Sequence, residues 1–227
     1  PRVCAKAKLL FLNYPNNPTT ATAEEEFFVQ AVQFAHKNNI LIAQDAAYSE
    51  IAFDNYRAPS ILQIEGARDL AVEFHSLSKT YNMAGWRIGW ACGNRDIIAC
   101  LSQVKANIDS GIFQAIQIAA IEALNTGPEH LKNLTSLYQE RRDIVCRGLS
   151  ALGWKVDKPR ATFYIWTRLP EGHTDSLKFA RLLLDKADVV VTPGVGFGPS
   201  GEGYVRMALT VPKERLQQAI RRVKKVI

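Results

Sequence analysis

Lys79 stands out among the lysines of this chain because of the residue types around it. It lies within residues 72–90, VEFHSLSKTYNMAGWRIGW, in a serine-rich turn that follows an apolar run at 70–74. Gly85, Trp86, Arg87 and Gly89 then lead into a second apolar run at 88–92. The hydroxyls of Ser76 and Ser78 with the guanidinium fork of Arg87 suit a bound phosphate. A lysine whose charge is disfavoured by desolvation and by a nearby arginine supplies a free amine, able to form an imine with a carbonyl. Four residues outside the stretch extend this chemistry: Asn17, Asp45, Tyr48 and Arg206. An aspartate aimed at a pyridine nitrogen keeps that ring protonated and makes it an electron sink.

Taken singly, each residue has a plainer reading. Asp45 suits a turn or helix cap, Asn17 a proline-flanked turn, and Arg206 a structural ion pair inside an apolar strand. Trp86 and Trp90 read as core. What counts against the plain readings is placement. Asn17, Asp45 and Lys79 each follow closely after an apolar run, at 7–13, 40–44 and 70–74. Strands alternating with helices argue an α/β sheet, and in such sheets ligands lie beyond the carboxyl ends of the strands.

The elements that would position these groups are legible in part. Residues 7–13 (AKLLFLN) read as a buried parallel strand. The turn YPNNPTT follows, and Thr22 with Glu25 resembles a capping box opening a helix over about 23–38, with Phe27, Ala31, Phe34 and Ala35 on its buried face. The run 40–44 closes a strand–helix–strand unit of right-handed crossover. Beyond the run at 87–92, helical patterns cover 95–105 and 114–124, broken near Ser110-Gly111. Gly127-Pro128 marks a boundary, so residues 1–125 are expected to form one domain and 126–227 a smaller α+β one, joined by a long helix at about 129–149. In the smaller domain, strands are expected near 155–157, 162–169, 189–192 and 204–210. Helices are expected over about 176–186 and from Pro212 onward. Gly194, Gly196 and Gly198 imitate a dinucleotide fingerprint, but a strand follows them instead of a helix, so they read as a hairpin loop.

Composition excludes other classes. With 227 residues and 47% apolar content the chain can bury a sizeable core. No apolar run reaches spanning length and no secretory leader is visible, so a soluble cytoplasmic protein without a membrane role is expected. The charge of +6 is diffuse apart from Arg221, Arg222, Lys224 and Lys225, which argues against nucleic-acid binding. The four cysteines and four histidines lack metal-ligand spacing, so reduced thiols and no metal are expected.

YPNNPT, QDAAYSEI, SLSKTYNMAGWRIGW and GYVRMALT, in that order, resemble the motifs of the fold-type I, pyridoxal-phosphate-dependent class I/II aminotransferases. The resemblance implies a three-layer large domain with a mostly parallel sheet, present only in part, plus a smaller α+β domain. It implies pyridoxal 5′-phosphate as cofactor, with Lys79 as its imine partner and proton-transfer base. Asp45 would pair with the ring nitrogen, Tyr48 and Asn17 with the phenolic oxygen, and Ser76, Ser78 and Arg87 with the phosphate. Arg206, with Asn17 nearby, would bind the substrate carboxylate.

The implied reactants are an amino acid and a 2-oxo acid, and the implied assembly a homodimer. The wording of FHSLSKTYNMAGWRIGW, DAAYSEIAFD and NIDSGIFQAIQ most resembles the branch acting on LL-diaminopimelate with 2-oxoglutarate. Aspartate or alanine aminotransferases, another enzyme type on the same cofactor and fold, a regulator's sensor domain and a non-catalytic scaffold stay open. Two departures stand out: Thr20 replaces the glycine usual after NPT, and the family's upstream phosphate turn, ring-stacking aromatic residue and N-terminal arm have no counterpart here. The 227-residue chain alone is therefore expected to be poorly active.

Overall fold

The computed structural model describes residues 3–227, which fall into two compact units. The first unit holds the residues up to Pro15 and Thr22–Lys132; the second holds Asn16–Ala21 and Asn133–Ile227.

The first unit is built on a four-stranded sheet. Its strands are β1 (Leu9–Asn13), β2 (Leu41–Asp45), β3 (Ala71–Ser76) and β4 (Gly89–Gly93), in that spatial order. β1, β2 and β3 run parallel, and β4 is antiparallel to β3. Helix α1 (Glu25–Asn38) packs Phe28, Ala31, Val32 and Ala35 against Leu10, Ile42 and Ala71 of the sheet. Those positions recur at three, four and seven residues, one stripe of a helix.

This stripe is rotated from the expected one. Phe27 and Phe34 are exposed, because residues 28 and 32 occupy the inward positions beside Ala31 and Ala35. The helix also starts without a side-chain cap at Glu24, so Thr22 and Glu25 form no capping box. β1 is likewise not buried on both faces. Leu10 and Leu12 join the core, whereas Leu9 and Phe11 point to the opposite face and are 54% and 64% exposed. An apolar run cannot reveal that one of its faces is open.

Beyond β3 the chain enters a four-residue helix, α2 (Leu77–Thr80), then α3 (Arg95–Ile108) and α4 (Gln114–Asn125). Val104, Ile108, Phe113, Ile118 and Ile121 along α3 and α4 are exposed. Trp86 and Trp90, expected in the core, are 46% and 39% exposed. They lie on a short 3-10 turn and on the outermost strand of the sheet, β4.

The boundary between the units falls within the next helix, α5 (Pro128–Ser150). The second unit holds β5 (Tyr164–Arg168), α6 (Ser176–Ala187), β6 (Thr192–Pro193), β7 (Tyr204–Ala208) and α7 (Lys213–Val223). Its antiparallel sheet has the order β5-β7-β6. Trp154, Ile165, Phe179, Leu183 and Leu209 are fully buried in it. Buried Arg142 donates to Asp143 and to the Pro159 carbonyl. Residues 155–157 form no strand. Side-chain bonds hold that stretch beside β5 instead, from Thr167 Oγ1 to the Lys155 carbonyl and from Trp154 Nε1 to the Arg168 carbonyl.

Gly194 and Gly201 explain the glycine-rich loop between β6 and β7. A Cβ on Gly194 would lie 2.0 Å from the Gly201 carbonyl oxygen, so two backbones meet where no side chain fits. Among the described residues no helix is long and apolar enough to cross a membrane, and the four cysteines are free thiols.

Candidate functional site

The parallel pairing sets the site edge in the first unit. Asn13 pairs with Asp45, and Asp45 pairs with Phe74, two residues before Ser76. The strand ends of β2 and β3 therefore present Asp45 and the Ser76–Lys79 turn side by side. Six of the sequence-predicted residues lie in this unit: Asp45, Tyr48, Ser76, Ser78, Lys79 and Arg87. Asn17 and Arg206 lie in the second.

Lys79 is on the third residue of α2, half-buried, with Nζ 5.7 Å from the centroid of the buried Tyr48 ring. Desolvation first, and the Arg87 charge second, hold its amine below the ordinary lysine value; the Asp45 carboxylate opposes them only in part. The Arg87 and Asp45 charges thus both act on the Lys79 amine. Ser76 caps α2 by accepting from the Ser78 backbone N–H at 3.2 Å, so its hydroxyl oxygen already serves the fold. Ser78 is buried. Asp45 Oδ1 accepts from the Ala47 N–H at 3.1 Å, so the turn-capping role of this aspartate is also real.

Arg87 carries a backbone cost. It sits at φ 54°, in the left-handed region, directly after the 3-10 turn Ala84–Trp86, and its Nη1 donates to the Ala84 carbonyl at 2.9 Å. A non-glycine residue there costs roughly 1–2 kcal/mol. Strain of this kind gathers at functional positions. Replacing Arg87 with glycine is therefore expected to raise the stability of the apo protein by up to about 1 kcal/mol while weakening phosphate-ligand binding at least tenfold. Urea melts beside a phosphate-ligand titration check both halves; a destabilised variant with unchanged affinity contradicts them.

In the second unit, Arg206 Nη1 donates to Asn17 Oδ1 at 2.6 Å, joining residues 189 apart in sequence. Asn17 is held by the turn it belongs to. The Thr20 N–H bonds to the Asn16 carbonyl and the Asn16 N–H to the Ala21 carbonyl, both at 2.9 Å. Thr20 takes the glycine-like φ of 60°, so the turn is kept at a steric cost to a β-branched residue. The guanidinium of Arg206 is flanked by two rings, with centroids 4.2 Å away at Tyr164 and 4.6 Å away at Phe197. Its Nε is buried with no hydrogen-bond partner. Sequence reasoning missed Tyr164 and Phe197: both sit in apolar-looking text, and only the β5–β7–β6 pairing and the glycine-rich loop bring them to the arginine. Among the described residues Arg206 forms no ion pair, and its Nη1 bonds the neutral Asn17 amide instead.

The arrangement offers a half-desolvated amine beside an aspartate and an arginine, and separately an arginine with an unpaired, buried donor. Comparison with known proteins agrees with this chemistry. The family described as aminotransferase class I and II matches residues 2–223. An LL-diaminopimelate aminotransferase of Moorella thermoacetica is 53% identical over 225 residues, covering 99% of this chain and 57% of the relative. LL-diaminopimelate aminotransferase 2 of Trichormus variabilis is 57% identical, covering 97% of this chain and 56% of the relative. The substrate-bound structure of BacF from Bacillus subtilis superposes with a TM-score of 0.95 at 42% identity, over 99% of this chain and 57% of that one. The chain thus spans little more than half the length of the relatives it matches. With its α/β sheet and its strand-end lysine, it belongs to the class I and II aminotransferase family.

Proposed function

We propose that the protein carrying this chain is a pyridoxal-phosphate-dependent aminotransferase that moves an amino group between an amino acid and a 2-oxo acid. 2-Oxoglutarate and glutamate form one pair, and LL-diaminopimelate is the other amino partner. The observation that carries the reading is Lys79: its amine is depressed by desolvation and by Arg87, and it lies over the Tyr48 ring at a strand-end edge. The names of the Moorella and Trichormus relatives support the substrate.

The donor set fits the cofactor. Within the first unit, Arg87 with Ser76 and Ser78 would hold the phosphate, Asp45 the ring nitrogen and Tyr48 the phenolic oxygen. When bound, the cofactor supplies an electron-accepting ring beside the substrate carbon that loses its proton. Lys79 would provide the amine that holds the cofactor and would be the group that carries that proton. Arg206 would orient the substrate by its carboxylate, with Asn17 and the Tyr164 and Phe197 rings holding the guanidinium.

A homodimer is the assembly we expect at full length. The open side chains of Val104, Ile108, Ile118 and Ile121 supply apolar surface of the kind the core of a protein interface uses.

The test is amino transfer by the full-length protein from a panel of donors to 2-oxoglutarate. LL-diaminopimelate should give the highest kcat/KM, above aspartate, alanine and N-succinyl-LL-diaminopimelate. A higher value for aspartate or alanine overturns the substrate assignment, and no transfer from any donor overturns the activity.

A further inference from the structure

Glu73 and His75 alternate along β3, and the antiparallel register sets Cys92 of β4 opposite Glu73 and Trp90 opposite His75. Side chains two apart on a strand share a face, so all four lie on one side of this ribbon. One ligand atom from each of Glu73, His75 and Cys92 lies within 4.8 Å of the other two. None of the three has a part in the amino-transfer site described above.

We propose that Glu73, His75 and Cys92 form a binding site for a zinc-class divalent cation, with water completing the coordination. The donor set is one carboxylate oxygen, one imidazole nitrogen and one sulfur. Sulfur disfavours magnesium and calcium, whose ligands are oxygens, and favours zinc. Three protein ligands with a fourth position open is an established zinc arrangement. Zinc bonds of about 2.0–2.3 Å set tetrahedral ligands roughly 3.3–3.8 Å apart, so the cluster must close by only about an ångström. His75 Nε2 is already 3.1 Å from Glu73 Oε2.

The surroundings pre-set two of the ligands. Glu73 Oε1 accepts from Ser60 Oγ at 2.8 Å and from the Ile61 N–H at 2.7 Å, which fixes the carboxylate and leaves Oε2 facing His75. The His75 ring stacks on Trp90, with centroids 5.0 Å apart and planes 12° from parallel. Outer contacts that orient ligands in this way are a regular part of metal sites. Charge also balances. A carboxylate, a thiolate and a neutral imidazole around a dication sum to zero, which suits a partly buried position.

Binding exchanges a proton for the metal. Coordination breaks the Cys92 S–H bond and forms sulfur–metal, the thiol proton going to buffer. The proton that His75 Nε2 shares with Glu73 leaves that nitrogen for Nδ1 or for buffer if Nε2 is the ligand.

Cobalt(II) added to the full-length protein in amino-acid-free buffer is the probe. One equivalent should produce a thiolate-to-cobalt charge-transfer band with tetrahedral visible bands, displaced by zinc, with protons released to the buffer. Cys92→Ser should weaken affinity more than about 100-fold, beyond the effect of an outer-contact change. His75→Gln should do the same and offers a second readout if the first variant folds poorly. A Cys4→Ser/Cys100→Ser background should keep the signal; Cys146 is buried and pushed up to about 11. Absence of the charge-transfer band, or its persistence in Cys92→Ser, overturns the site, and neither result bears on amino transfer.

Discussion

Replacing Lys79 with alanine is expected to lower turnover of the full-length protein by about 10²–10⁴-fold, the range a positioned proton-transfer group contributes. It should also abolish the covalent mark that borohydride leaves after incubation with pyridoxal 5′-phosphate. Arginine should not rescue, because a guanidinium stays protonated at any working pH and cannot act as a free amine. The pH behaviour separates this role from a merely structural lysine. Desolvation and Arg87 hold the native amine below its ordinary value of 10.5. Between that depressed value and 10.5 the unfolded chain binds more protons than the folded one, so stability rises with pH through the window and Lys79 costs stability below it. Lys79→Met should therefore be more stable than the parent at neutral pH, with an advantage that shrinks as pH climbs toward 10.5. Cofactor labelling of the parent should reach half its maximal rate at a lower pH than a solvated lysine allows. Residual turnover near the parental value, or an advantage for Lys79→Met that does not change with pH, contradicts the assignment.

Why Lys79 was legible in the sequence, and its partners only partly so, follows from what one-dimensional text encodes. A strand end is marked by an apolar run breaking into small polar residues, and a parallel sheet brings such ends to one edge; Asp45 and Lys79 could be placed from that alone. Contact between distant segments has no local signature. The Asn17–Arg206 bond spans 189 positions, and the rings of Tyr164 and Phe197 reach the arginine only through strand pairing and a loop. The same limit hid the cross-strand set of Glu73, His75 and Cys92, whose spacing imitates no metal motif until β3 and β4 are in register. Phase errors have another origin. In α1, Phe27, Phe28, Val32 and Phe34 are apolar around much of the helix, so a stripe one residue out of phase fits nearly as well. Exposure of Leu9, Phe11, Trp86 and Trp90 was illegible because residue type reports what prefers burial, not what packs over it.

Arg206 carries the second large expected effect. Two charge-assisted bonds to a carboxylate at about 1.5–3 kcal/mol each sum to about 3–6 kcal/mol, so Arg206→Ala should lower kcat/KM roughly 10²–10⁴-fold. Under the proposed role the loss should appear mainly in KM, since a carboxylate held alike before and during the reaction contributes uniform binding. Lysine should recover only part of it, because a point charge replaces a planar fork. Tyr164→Leu leaves the charge but removes one ring at 4.2 Å, and a cation–ring contact of about 0.5–2 kcal/mol predicts a loss of roughly 2–30-fold. The buried, unpartnered Nε gives the reason to expect so much from one side chain. A desolvated donor with nothing to bond raises the energy of the free protein, and a substrate carboxylate that reaches it removes that cost. Amino donor and 2-oxo acceptor both carry such a carboxylate next to the reacting carbon. Arg206→Ala should therefore impair both half-reactions by a similar factor, while an amine without a carboxylate should react with variant and parent alike. A loss confined to one half-reaction would place the arginine on the substrate side chain instead.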